Sequence, residues 1–70
     1  MSDRVGSRWQ EFLDICARVS ENGRHFSDSD VEFVDSLGEK LSTYKDKAFI
    51  SFNQIDWLRR LEAKLGTLGL

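Results

Sequence analysis

The sequence predicts an all-α fold, a small three-helix bundle with helices at about residues 8–22, 28–43 and 52–65, in a single domain spanning 1–70. Three observations predict it. Three stretches carry apolar residues at three- and four-residue spacing, as a helix with one buried face requires. Each is opened by a serine followed three residues later by Gln or Asp: Ser7 with Gln10, Ser27 with Asp30, Ser51 with Gln54. In that pairing the serine hydroxyl and the later side chain satisfy each other's free backbone amides at a helix start. Proline is absent, and the five glycines fall mostly at expected helix ends.

In the first helix Trp9, Phe12, Leu13, Cys16 and Val19 form the apolar stripe with Ile15 on its flank, while Glu11, Asp14, Arg18 and Glu21 take the other side. Residues 1–6 before it read as a flexible tail. Gly23 stands where a left-handed residue ends many helices. Phe26 and Val31 bracket the second cap as a hydrophobic staple, and Val31, Val34, Leu37, Leu41 and Tyr44 continue the stripe with Phe33 at its border. Gly38 lies inside this helix on the apolar side, which predicts close approach to a neighbour or else a kink. Over residues 43–50 the periodicity lapses, so the segment reads as a connector whose Phe49 and Ile50 pack onto the core. The third helix is the clearest: Ile50 and Ile55 form the staple, Ile55, Leu58, Leu61 and Leu65 the stripe, Trp57 its edge and Gly66 its end, with 67–70 as a second flexible end.

A chain of 70 residues buries only about 60% of the surface its unfolded form exposes, so the core is small. Its 40% apolar and 31% charged residues are globular proportions. A lone cysteine makes no internal disulfide, no apolar run reads as a signal peptide, and no window approaches the length of a membrane span. The expectation is a soluble, cytoplasmic protein without membrane attachment. A net charge of −2 argues against general affinity for nucleic acid, which rests on cations displacing counterions from phosphate.

Two constellations stand out. Asp28, Glu32, Asp35 and Glu39 are spaced four, three and four residues apart and stack into one acidic stripe roughly opposite the apolar face. Asp30 adds a carboxylate on another side, and no Lys or Arg falls between Arg24 and Lys40 to neutralise them. Such a stripe is either a solvated face or a docking strip for a basic surface that normally holds nucleic acid. As a metal site it lacks partner ligands, and no metal or cofactor is expected. The second constellation is Trp57, Arg59, Arg60 and Lys64, an aromatic edge beside a cationic strip that could stack on a base and grip phosphate. The alternative is a tryptophan packed beneath an arginine stem, with Asp56 paired to Arg60. Cys16 reads as core, and His25 as a loop or cap contact. No nucleophile, phosphate loop or metal motif is present, so an enzyme is not expected.

The segment FISFNQIDWLRRLEAKLG resembles a phrase common in short phage- and prophage-encoded proteins, in which Leu-Ser-x-x-Gln-x-x-Trp-Leu-x-Arg-Leu opens a terminal helix. Ser51, Gln54, Trp57, Leu58, Arg60 and Leu61 match, and Ile50 replaces the usual Leu. The resemblance spans about a quarter of the chain. It implies a mobile-element origin, where tiny acidic helical proteins, anti-CRISPR proteins among them, block a host machine. The leading expectation is therefore a nonenzymatic interaction module that uses Asp28, Glu32, Asp35 and Glu39 against a basic protein surface. The alternatives are a nucleic-acid-binding accessory factor using Trp57, Arg59, Arg60 and Lys64, and a self-associating scaffold piece built on Phe33, Phe49, Leu68 and Leu70.

Overall fold

Two of the three serine caps form as their spacing dictates. The Ser27 hydroxyl accepts from the Asp30 amide at 3.2 Å while Asp30 accepts from the Ser27 amide at 3.4 Å. The Ser51 hydroxyl accepts from the Gln54 amide at 3.2 Å and Gln54 Oε1 accepts from the Ser51 amide at 3.0 Å. The computed structural model describes residues 2–4 and 8–69, so the Ser7–Gln10 pairing lies outside the described residues. The first helix, α1, covers Trp9–Glu21, α2 covers Asp28–Tyr44 and α3 covers Phe52–Leu68. Short 3₁₀ turns at Gly23–His25 and Lys45–Lys47 follow α1 and α2.

The three helices enclose one core, as a small all-α bundle. Phe12, Ile15, Cys16 and Val19 of α1 meet Val34, Leu37 and Leu41 of α2 and Leu58, Leu61 and Leu65 of α3; Phe26, Ala48 and Ile50 close the ends. Ile15, read as a flank residue, is buried. Tyr44, assigned to the apolar stripe, is instead 58% exposed. Tyr44 is the last residue of α2, which at 17 residues and roughly 25 Å outruns the 13 residues and roughly 20 Å of α1, and Ile50 is buried in the core where the tyrosine is not.

Among the described residues, regular structure reaches into both segments that were read as ends of the chain. Strand β1 (Ser2–Arg4) pairs antiparallel with β2 (Phe49–Ser51), Ser2 opposite Ser51 and Arg4 opposite Phe49. The lapse in periodicity before the third helix is therefore partly a strand. Burial confirms the inward packing predicted for Ile50 but leaves Phe49 47% exposed. At the other end α3 runs through Gly66 to Leu68, and Gly69 is the left-handed terminator, at φ 75°. Either glycine can stop a helix; stopping at Gly69 keeps Thr67 within the hydrogen-bond ladder, its hydroxyl donating to the Ala63 carbonyl at 3.1 Å. Gly23 is likewise not left-handed. The end of α1 is satisfied by Asn22, whose side-chain amide donates to the Arg18 carbonyl at 2.8 Å.

Gly38 sits within unbroken α2 and faces α1, which settles close approach over a kink. A Cβ built there meets Cys16 Cβ at 3.7 Å and Leu13 Cδ1 at 3.8 Å, ordinary van der Waals distances. Gly38→Ala is thus expected to raise stability by about 0.5–1 kcal/mol, the helix-propensity gain without a clash. Gly38→Leu should lower it by about 1–3 kcal/mol by prising α1 from α2. Urea midpoints of the two variants check both signs.

Candidate functional site

The Ser27 capping box fixes where α2 begins and hence the rotational phase of every side chain on it. With that phase Asp28, Glu32, Asp35 and Glu39 are all exposed on one face. Asp35 accepts a hydrogen bond from Ser20 Oγ of α1 at 3.2 Å. None of the four makes an ion pair with a lysine or arginine among the described residues. Asp28 lies in the first turn, where the helix dipole favours a carboxylate; Glu39 lies far from that support. Beside Asp35 and Glu39 runs a shallow groove of about 220 Å³ between α1 and α2, edged by Ala17, Ser20, Gly38 and Ser42. These small side chains leave room for the aliphatic stem of a visiting Lys or Arg whose head reaches the two carboxylates.

Of Trp57, Arg59, Arg60 and Lys64, Trp57 and Arg60 line one open pocket of about 370 Å³ with Asn53 and Asp56, while Arg59 and Lys64 turn to other partners. The indole of Trp57 stacks on Phe33, ring centroids 4.1 Å apart and planes 3° from parallel, and its Nε1 donates to Asp30 Oδ1 at 2.9 Å. Arg59 turns towards α1, where it pairs with Glu11 at 3.1 Å and with Glu62 at 3.1 Å, its guanidinium 5.4 Å from the Phe12 ring centre. Arg60 pairs with Asp56 at 2.9 Å, the partner its spacing predicts. Lys64 places its ammonium 4.9 Å from the Phe26 ring centre. Each cation is thus engaged within the chain, and one face of the indole is covered.

Asp30, the carboxylate outside the stripe, belongs to this cluster. Partial desolvation pushes its pKa up, but hydrogen bonds from Trp57, the Ser27 hydroxyl and the Ser27 amide, with the charge of Lys64, outweigh that and hold it below the ordinary aspartate value. The Cys16 thiol is buried in the core and is pushed up to about 12, by desolvation first and by the Asp35 charge second, against a lowering backbone hydrogen bond. It is a protonated, inert core residue. His25 is exposed, and its Nε2 accepts from Arg24 Nε at 3.4 Å. Among the described residues no three His, Cys, Asp or Glu side chains converge as a metal site, and no helix is long and apolar enough to cross a membrane.

Of the apolar residues read as a self-association surface, Phe33 is spent on Trp57, Leu70 lies outside the described residues, and Phe49 and Leu68 remain exposed at 47% and 40%. Sequence reasoning missed Phe52, 75% exposed at the first position of α3, and the pairing of the two border aromatics Phe33 and Trp57. The latter had a signal: an aromatic at the rim of each of two successive apolar stripes. Compared with known proteins, the chain matches no family model, no curated protein and no solved structure.

Proposed function

We propose that this chain is a nonenzymatic interaction module that acts in the cytoplasm by docking the acidic face of α2 on a basic protein surface, one that otherwise holds nucleic acid. The observation that carries this reading is the set of four exposed carboxylates on one helix face, none of them in an ion pair among the described residues. Leaving like charges stacked at three- and four-residue spacing costs a few tenths of a kcal/mol each, a cost that opposite charge on a partner removes. The groove beside Asp35 and Glu39 adds shape to the charge. The resemblance of the third-helix segment to phage-encoded proteins gives the reading its setting: an inhibitor of the anti-CRISPR kind, competing with nucleic acid for a shared surface.

The test is capture from a nuclease-treated cell lysate on immobilised chain, followed by competition with added DNA and RNA. A basic nucleic-acid-binding protein should be retained at low salt, released as ionic strength passes the range where the Debye length falls below about 10 Å, and displaced by nucleic acid. Replacing Asp28, Glu32, Asp35 and Glu39 together with Ser should weaken that binding by about 1–4 kcal/mol, taking about 0.2–1 kcal/mol for each screened pair, with helix content unchanged by circular dichroism. Equal affinity of the quadruple variant would refute the reading.

A further inference from the structure

We propose that the open pocket on α3 lined by Asn53, Asp56, Trp57 and Arg60 binds an unpaired guanine base. The pocket measures about 370 Å³. Its residues follow the three- and four-residue spacing that lines one face of a helix, beside the face that buries Leu58, Leu61 and Leu65.

The indole is held ready for a stacked ring. A side chain that a ligand must first immobilise costs affinity, and one already fixed does not. Phe33 of α2 lies against one face of Trp57, centroids 4.1 Å apart and planes 3° from parallel, and Asp30 accepts from its Nε1 at 2.9 Å. Trp57 is nevertheless 37% exposed and lines the pocket. Among the described residues no second ring and no cation is placed over it. A flat ring laid on the open face extends the Phe33–Trp57 stack by one.

The polar groups select which ring. Asp56 and Arg60 form an ion pair at 2.9 Å between Oδ2 and Nη2, with side chains 54% and 78% exposed. The other carboxylate oxygen, the rest of the guanidinium fork and the Asn53 amide make no hydrogen bond among the described residues. As a pair the two charges cancel, so the pocket favours neither a simple anion nor a simple cation. What it presents is a set of acceptors followed by a set of donors. Guanine carries the complementary order on one edge: N2 and N1 donate, then O6 and N7 accept. Adenine, cytosine and uracil each have a single donor position on the corresponding edge. In a duplex the N1 and N2 hydrogens belong to cytosine and the ring faces to neighbouring bases, so the guanine has to be unpaired, in a nucleotide or in a single strand. The site shares no residue with the acidic face of α2 and does not rest on the function proposed above.

Nuclear magnetic resonance of the whole chain tests it through the indole N–H signals of its two tryptophans, Trp9 serving as the internal reference. Guanosine monophosphate should shift the Trp57 signal saturably. The adenosine, cytidine and uridine monophosphates should bind roughly fivefold to 150-fold more weakly, the discrimination that one good bidentate contact gives. Asp56→Asn turns an acceptor into a donor and should bring guanosine monophosphate down to the level of the other three. Arg60→Lys keeps the charge and loses the fork, and should weaken guanosine monophosphate over the same range. Both side chains are exposed, so both variants should keep the helix content of the parent. An oligouridine carrying one guanosine separates the sources of the base: roughly tenfold tighter binding than the mononucleotide at low salt assigns the site to a strand, whose phosphates add contacts, and equal binding assigns it to a free nucleotide. A Trp57 signal unmoved at about 10 mM guanosine monophosphate, equal affinity for the four nucleotides, or an Asp56→Asn variant that binds as the parent does would each overturn the proposal.

Discussion

Phe12→Ala is expected to cost about 3–5 kcal/mol and to leave much of the population unfolded at room temperature. Phe12 is 1% exposed and among the largest fully buried side chains, projecting from the start of α1 into the core it shares with both other helices. The guanidinium groups of Arg8 and Arg59 lie 5.0 Å and 5.4 Å from its ring centre, so truncation also removes two cation–π contacts and loosens the Glu11 pairs that Arg8 and Arg59 make. At roughly 0.05–0.15 kcal/mol per residue a domain of this size has about 4–10 kcal/mol in total, so one ring is a large share of its stability. Urea denaturation followed by far-ultraviolet circular dichroism measures it. A loss below about 1 kcal/mol would mean that the α1 face is not the centre of the core. Phe12→Leu, which keeps most of the volume, should cost under about 1.5 kcal/mol.

Trp57→Ala is expected to cost about 2–4 kcal/mol even though Trp57 is 37% exposed. It removes a stacked aromatic pair, worth about 0.5–1.5 kcal/mol beyond the area it covers. It also removes the Nε1 bond to Asp30, a charged acceptor whose partial exposure keeps its share near the low end of about 1.5–3 kcal/mol. Trp57→Phe keeps the stack and isolates the bond. The two should also respond differently to acid. Desolvation raises the Asp30 pKa, but the hydrogen bonds and Lys64 prevail and hold it below 3.8. A depressed folded-state value means that the stabilisation is fully present above the unfolded value and is lost as pH falls through the folded one. The advantage of the parent over Trp57→Phe should therefore be constant near neutrality and vanish below the ordinary aspartate range. If the difference persists there, the indole bond is not what separates them.

Helix starts were legible in the sequence because cap chemistry is local: Ser27 with Asp30 and Ser51 with Gln54 need nothing but each other. Helix ends were less so, since Gly23, Gly66 and Gly69 are equally able terminators and the choice between them depends on what the next residues touch. The acidic face was legible as a period, four residues in phase on one helix. The groove beside it was not, because it exists only where Ala17 and Ser20 of α1 lie against Gly38 and Ser42 of α2. On α3 the spacing placed Arg60 beside Trp57, and the two do line one pocket, but the pairing of Arg59 with Glu11 on another helix was not legible from the spacing.

The pairing of Ser2–Arg4 with Phe49–Ser51 bears on the order in which the molecule assembles. It spans 45 to 49 residues of sequence, much as the Glu11–Arg59 contact between α1 and α3 spans 48, and three residues of ladder cannot sustain themselves in water. The helices, which share the buried core, have to gather first and deliver the two strands to each other. That seam is the last to close and the first to part, and it can unzip while the helices stay together.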